Sequence, residues 1–199
     1  MGARDRLLGT AIELLRRQGV AGTGVAEIVE RGHTARRSLY LNFPGGKAQL
    51  MAEATHVAGS FIDHQIASFV ALPTAREALA AFVVEWKKVV GDSDYAAGCP
   101  IAAAGLSRST EPAVADVAGD AFAQWQHTLA DSLRRHGADD AVAPVLANMV
   151  LAAVEGAVLV CIARKSLTPL DDVESQLAIL LDHHLTIGQL EVNPAPRGR

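Results

Sequence analysis

Residues 22–50 read GTGVAEIVERGHTARRSLYLNFPGGKAQL, and this stretch decides the fold. Val25 to Arg31 reads as a short helix that Gly32 ends, with Thr23 placed near its start to cap exposed N–H groups. After the turn Gly32 to Thr34, a second short helix runs from about Ala35 to Leu41 with Thr34 as its N-cap. Leu39 and Phe43 point inward from it, while Arg36, Arg37 and Tyr40 face out or sideways. Pro44-Gly45-Gly46-Lys47 then opens a longer helix. Two short helices across a tight turn, with cations and hydroxyls on the second, describe a recognition helix presented to DNA.

Working outward, Asp5 to Gln18 places Leu8, Ala11, Ile12 and Leu15 at helical spacing. Arg16 and Arg17 fall in the last turn and Gly19 just beyond, a favourable charge and a glycine stop. Its apolar stripe and the inward faces of the next two helices can share one small core. Charge supports the reading. Residues 1–50 carry eight Lys/Arg against four Asp/Glu, a net of +4, and the remaining ten against eighteen give −8, which together make the overall −4. A basic quarter on an acidic body is expected when one end meets a polyanion.

Downstream, the pattern is helical throughout. A helix from Lys47 to about Val70 is followed by Pro73-Thr74, where Thr74 and Glu77 form a capping box opening a helix to about Val90. Gly98-Cys99-Pro100 begins a helix to about Ser107, proline being tolerated in a first turn. Pro112 to Arg135 is a long helix ended by Gly137. Asp139 or Asp140 caps a helix to Arg164, and Leu170 to Leu190 makes the last. No β-alternation or internal repeat interrupts this order. The expected fold is all-α with about nine helices: a three-helix N-terminal domain at 1–46, a larger helical domain at 47–192, and a disordered tail at 193–199.

The last two long helices carry more apolar surface than a monomer needs. Leu146, Val150, Ala153, Ala157 and Val160 on one, with Leu177, Leu181 and Leu185 on the other, predict a homodimer through a four-helix bundle. The same abundance makes Ala141 to Ala163 resemble a membrane span. Pro144, Asn148 and Glu155 argue instead for a helix buried in protein, because a mid-bilayer carboxylate costs roughly 2.5–3.5 kcal/mol. Cys99 and Cys161 fit no metal-ligand spacing, and with no signal peptide they read as free, buried thiols in a reducing cytoplasm.

The pattern Arg6-x4-Thr10-Ala11-x2-Leu14-Leu15-x3-Gly19, then Thr23-Gly24-x3-Ile28-Val29, then Ser38-Leu39-Tyr40-x2-Phe43-Pro44-Gly45-Gly46-Lys47-x2-Leu50 resembles the TetR family of bacterial transcriptional regulators. Gly98-Cys99-Pro100-Ile101 resembles one branch of it. The resemblance implies a DNA-binding set of Thr23, His33, Thr34, Arg36, Arg37, Ser38, Tyr40 and Lys47. In that set Thr23, Tyr40 and Lys47 contact phosphates and the arginines meet base edges. Three positions depart from the family pattern: His33 where the turn usually has glycine, Ala35 where a capping serine is frequent, and Arg37 where a small residue is often seen. The rival reading of Gly-Gly-Lys as a nucleotide phosphate loop fails, because Leu41 and Ala48 stand where that loop needs glycine and Ser or Thr.

The resemblance also implies an apolar effector cavity in the larger domain. Candidate ligand-binding residues are Phe82, Trp86, Cys99, Ile101, Phe122, Trp125 and Met149, which would favour a small apolar or aromatic effector. No nucleophile–base pair, metal cluster or dinucleotide loop is present, so no metal, cofactor or catalytic residue is expected. The expected function is a ligand-responsive regulator on a palindromic double-stranded operator, with repression relieved by the effector. The alternative is an all-α small-molecule-binding protein or enzyme whose DNA-binding domain is incidental or vestigial.

Overall fold

In a computed structural model, which describes residues 2–192, the chain is all-helical. The helices are α1 (Ala3–Gly22), α2 (Val25–Arg31), α3 (Arg36–Asn42), α4 (Gly46–Phe69), α5 (Ala75–Asp92), α6 (Pro100–Gly105), α7 (Pro112–Arg135), α8 (Ala143–Arg164) and α9 (Thr168–Val192). The tail expected at 193–199 lies outside the described residues.

Most ends follow the local chemistry read from sequence. Thr74 and Glu77 form the reciprocal capping box of α5, with Thr74 N donating to Glu77 Oε2 and Glu77 N to Thr74 Oγ1, both at 3.1 Å. Cys99 is the N-cap of α6, its sulfur accepting from Ala102 N, and Pro100 follows in the first turn. Two ends differ. Helix α1 does not stop at Gly19 but kinks there, at φ 69°, and continues to Gly22. Helix α8 starts at Ala143 rather than at an aspartate cap, because Asp139 instead closes a turn by accepting from Ala141 N at 2.7 Å.

The compact units do not divide at residue 46. One comprises residues up to 63 together with 92–123; the other comprises 64–91 and the chain from 124 onward. The first unit gains α6 because α6 packs against α1. Gly98 N donates to Arg16 O at 3.0 Å and Arg16 Nε to Gly98 O at 3.2 Å. Within this unit Gly59 has no room for a side chain, since a Cβ there would lie 2.9 Å from Ala121 Cβ. The core of its N-terminal part is fully buried Leu7, Ala11, Leu14, Leu15, Ile28, Leu39, Phe43, Leu50 and Met51. Burying Phe43 alone is worth about 3–5 kcal/mol, as judged by the usual cost of Phe→Ala in a core.

The second unit is built on α5, α8, α9 and the adjoining ends of α4 and α7. Helix α8 is the one described helix long and apolar enough to cross a membrane. It packs along α9, and Leu146, Ala147, Val150, Leu151, Val154, Ala157, Val158 and Cys161 are buried in the unit's own core. Lys87 of α5 reaches Asp171 of α9 in a close ion pair and Glu174 at 3.7 Å, and Arg76 pairs with Asp182. Both cysteines are buried and free, as their spacing predicts.

Candidate functional site

The turn between α2 and α3 is a Schellman motif. Thr34 N donates to Val29 O at 2.9 Å and His33 N to Glu30 O at 3.1 Å, the 6→1 and 5→2 bonds of that motif. It requires a left-handed residue after the C-cap Gly32, and His33 fills the place at φ 47°. Histidine there keeps the turn at a steric cost that glycine would not incur. The turn also brings α2 hard against α1, with a Cβ on Gly32 only 2.8 Å from Ile28 O and 3.2 Å from Thr10 Oγ1.

The two expected threonine caps are not made. Thr23 is fully buried, its hydroxyl donates to Gly19 O at 2.7 Å, and the N-cap of α2 is Gly24 with no side-chain cap. The kink at Gly19 exposes that carbonyl, and Thr23 satisfies it; a buried hydroxyl committed in this way does not face a phosphate. The N-cap of α3 is Ala35, again without a side-chain cap, and Thr34 Oγ1 is buried with no hydrogen-bond partner among the described residues. The first-turn N–H groups of α3 are therefore left uncapped by side chains.

Cations divide sharply in this region. Of the eight in residues 1–50, Arg4 pairs with Glu53, Arg17 with Glu13 and Arg31 with Glu27. Arg6 Nε donates to Gly32 O and Arg16 Nε to Gly98 O, both at 3.2 Å. Arg36, Arg37 and Lys47 have no ion-pair partner among the described residues. Arg36 and Arg37 are exposed on α3, Lys47 is half-buried at the head of α4, and Tyr40 between them is 45% exposed. Ser38 is half-buried in the same helix. Arg4, stacked 5.4 Å from the Phe43 ring centroid, holds Glu53. Glu53 accepts from Gln49, which in turn accepts from Gly45 N at 2.8 Å. That relay fixes the α3–α4 turn and the direction in which Lys47 is presented.

An apolar cavity lies within the second unit. It is walled by Ile66, Phe69 and Val70 of α4 and the turn after it, Ala75, Ala78, Leu79 and Phe82 of α5, Leu129, Ser132 and Leu133 of α7, Val150 of α8 and Leu181 of α9. Of the expected ligand residues it brings together only Phe82. Trp86 is packed edge-on against Phe82, with centroids 6.4 Å apart, but does not line the cavity. Cys99 and Ile101 are buried in the other unit, Phe122 is half-buried there, and Trp125 is core. Met149 is 52% exposed on the outer face of α8.

Most of the residues expected at a dimer face are turned into the chain's own core. Leu146, Val150, Ala157, Leu177 and Leu181 are buried within the chain, and Val150 and Leu181 are cavity wall. Ala153 and Leu185 are half-buried, and only Val160 is exposed. The face turned outward on α8 is Val145, Met149, Ala152, Gly156, Leu159 and Ala163, at alternating spacings of four and three, with Ile179 outward on α9. Helix α8 is apolar over most of its circumference, Asn148 and Glu155 being its only polar residues before Arg164, so its periodicity hardly distinguishes the two faces. Ser132 was the available signal for the cavity: a buried serine between Leu129 and Leu133 breaks an otherwise apolar helix face.

Taken together, the motif and its unpaired cations define a helix-turn-helix DNA-binding protein. The family model described as bacterial regulatory proteins, tetR family, matches residues 7–54, and that described as transcriptional regulator LmrA/YxaF-like, C-terminal domain, matches 75–176. The HTH-type transcriptional regulator Rv0196 of Mycobacterium tuberculosis is 32% identical over 187 residues, covering 90% of this chain and 94% of its own. The HTH-type transcriptional regulator LmrA of Bacillus subtilis is 30% identical over 182 residues, covering 90% and 96%. Among solved structures, the regulatory protein TetR from Rhodobacter sphaeroides superposes with a TM-score of 0.79 at 19% identity, over 88% of this chain and 97% of that one. The chain belongs to the TetR family of DNA-binding transcriptional regulators.

Proposed function

We propose that this regulator is a homodimeric repressor released from a palindromic operator by a small apolar effector. The observation that carries the DNA-facing half is the pairing pattern. Five of the eight N-terminal cations are spent on carboxylates or carbonyls, and the other three, without an ion-pair partner among the described residues, stand on α3 and at the head of α4. Unpaired cations held on a fixed frame are what phosphate and base contact require. Arg36 and Arg37 read bases, and arginine's fork suits guanine O6 and N7. Tyr40 and Lys47 hold phosphates, Lys47 with the help of the α4 N-terminus.

For the dimer, the outward stripe of α8 with Ile179 of α9 meets its two-fold copy in a four-helix bundle. Ala152, Gly156 and Ala163 allow close approach, and nothing stands within 4 Å of a Cβ on Gly156. Two such protomers would set their recognition helices about 34–36 Å apart, one turn of DNA. For the effector, the cavity of the second unit is apolar apart from Ser132. Helix α4 carries Lys47 near its start and cavity residues Ile66 and Phe69 near its end, so a ligand that shifts one end biases the other. Such a protein works in the cytoplasm, where the DNA is.

The test is a gel shift on the DNA flanking the coding region, with the purified protein and a panel of small apolar compounds. A shift on that DNA, reversed by at least one compound, is the expected result. A shift that no compound reverses leaves a DNA-binding regulator without this mode of release. Loss of all DNA affinity would favour the alternative of a small-molecule-binding protein with a vestigial reader.

A further inference from the structure

We infer that the indole N–H of Trp86 is the polar anchor of the effector cavity, and that it selects apolar molecules carrying one hydrogen-bond acceptor. The inference rests on reading that cavity as the effector site. Trp86 is 6% exposed and its Nε1 has no hydrogen-bond partner among the described residues. A buried donor without a partner is destabilising, and buried polar groups in native proteins are nearly always paired, so this one needs a reason. Phe82, one turn earlier on α5, supplies it. Its ring lines the cavity and also meets Trp86 edge-on, at 6.4 Å between centroids and 74° between planes. Phe69, a second cavity residue, lies 6.3 Å from Phe82 on the other contact. The three rings form a row of which the first two face the cavity, and Phe82 is the wall the cavity shares with Trp86.

Size and polarity both point through that wall. The space is about 40 Å³, measured to the centre of a water-sized sphere. At roughly 10–15 Å³ per water it holds about three waters, so a larger guest has to displace a side chain. A guest that turns the Phe82 ring aside would extend the cavity toward the Trp86 ring in contact with it. The lining offers one polar side chain, Ser132, and its hydroxyl hydrogen is directed to Val70 O at 3.5 Å. An acceptor on the guest therefore finds its uncommitted donor at Trp86. A ketone, ether or ester oxygen on an apolar frame fits this arrangement; a plain hydrocarbon gains nothing from it.

The test uses the full chain and two probes of the same shape, cyclohexanone and methylenecyclohexane, in which C=O is exchanged for C=CH2. Dissociation constants are measured by calorimetry for the wild type, Trp86→Phe and Ser132→Ala. The expected result is that Trp86→Phe weakens cyclohexanone about tenfold while methylenecyclohexane binds as before or more tightly, which also shows that the variant is folded. Ser132→Ala, which alters the cavity wall itself, shifts both probes alike and does not separate them. The chain has two tryptophans, so the variant also assigns the Trp86 indole N–H signal in a proton–nitrogen NMR spectrum. That signal moves on adding cyclohexanone and stays in place with methylenecyclohexane. Equal effects of Trp86→Phe on both probes, or a loss of cyclohexanone alone that follows Ser132→Ala instead, overturn the anchor and leave the effector cavity standing. If neither probe binds the wild type, the cavity reading falls and this inference with it.

Discussion

At the scale of single residues, Arg36, Arg37, Tyr40 and Lys47 are separated by what they can sense. On the proposed reading arginine on the outer face of α3 discriminates bases, so Arg36→Ala should change sequence preference, by about 1–3 kcal/mol at the base pair it reads. Competition binding against operators substituted one base pair at a time measures this, and an unaltered preference would remove Arg36 from base readout. Lys47→Ala should weaken binding to all sequences alike and lower the slope of log affinity against log salt by about 2 for the proposed dimer, because each protomer releases one fewer counterion. Tyr40→Phe loses a neutral hydroxyl and weakens binding with the slope unchanged. His33 is a different case. It stands in the left-handed region at φ 47°, where a side chain costs about 1 kcal/mol. His33→Gly should therefore raise the thermal midpoint, read by circular dichroism, while the Schellman hydrogen bonds persist.

At the scale of helices, α8 and α9 show how a pair of segments is assigned two roles. One side of α8 is buried core and part of the cavity wall; the opposite side carries Met149 at 52% exposure and Leu159 at 67%. Because these two are exposed in the protomer, Met149→Glu with Leu159→Glu should leave folding intact but place carboxylates in the proposed two-fold interface. The variant should run as a monomer by light scattering and lose operator affinity, since the two half-sites are then bound independently. A dimer that survives both charges is formed elsewhere. The α5–α9 pairing gives a pH prediction. The hydrogen bond from Lys87 to Asp171 holds the lysine above its ordinary pKa against the opposing effect of burial. A raised lysine stabilises the fold fully below the unfolded value of about 10.4 and less as pH climbs through the folded one. Wild type and Lys87→Met should thus differ by a constant amount from pH 7 to 9, and the gap should shrink above pH 10.5.

At the scale of the molecule, the proposed repression and release would be one coupling free energy between operator binding and effector binding. Coupling is reciprocal, so operator DNA must weaken effector binding by the same factor by which effector weakens operator binding, typically 5–150-fold. Calorimetric titration of one effector with and without saturating operator checks the equality. If operator leaves effector affinity untouched, the cavity does not regulate DNA binding.

What the amino-acid order determined by itself is whatever depends on near neighbours. Helix order, the Thr74–Glu77 box, the Cys99-Pro100 start, the Gly32–His33 turn and the outward cations of α3 are all settled within a few residues by backbone sterics, capping and period. Thr23 and Thr34 mark the limit of that logic: each has the side chain of a cap, yet the kink at Gly19 offered Thr23 another acceptor and packing left Thr34 without a partner among the described residues. The tertiary structure alone decided which apolar side of α8 turns inward, that Val150 and Leu181 wall a cavity, and that α6 joins α1. The physical reason is that burial is a property of the partner as much as of the residue. A helix with only Asn148 and Glu155 to interrupt its apolar surface before Arg164 has little periodic signal to orient it, so the helices packed around it choose its inside.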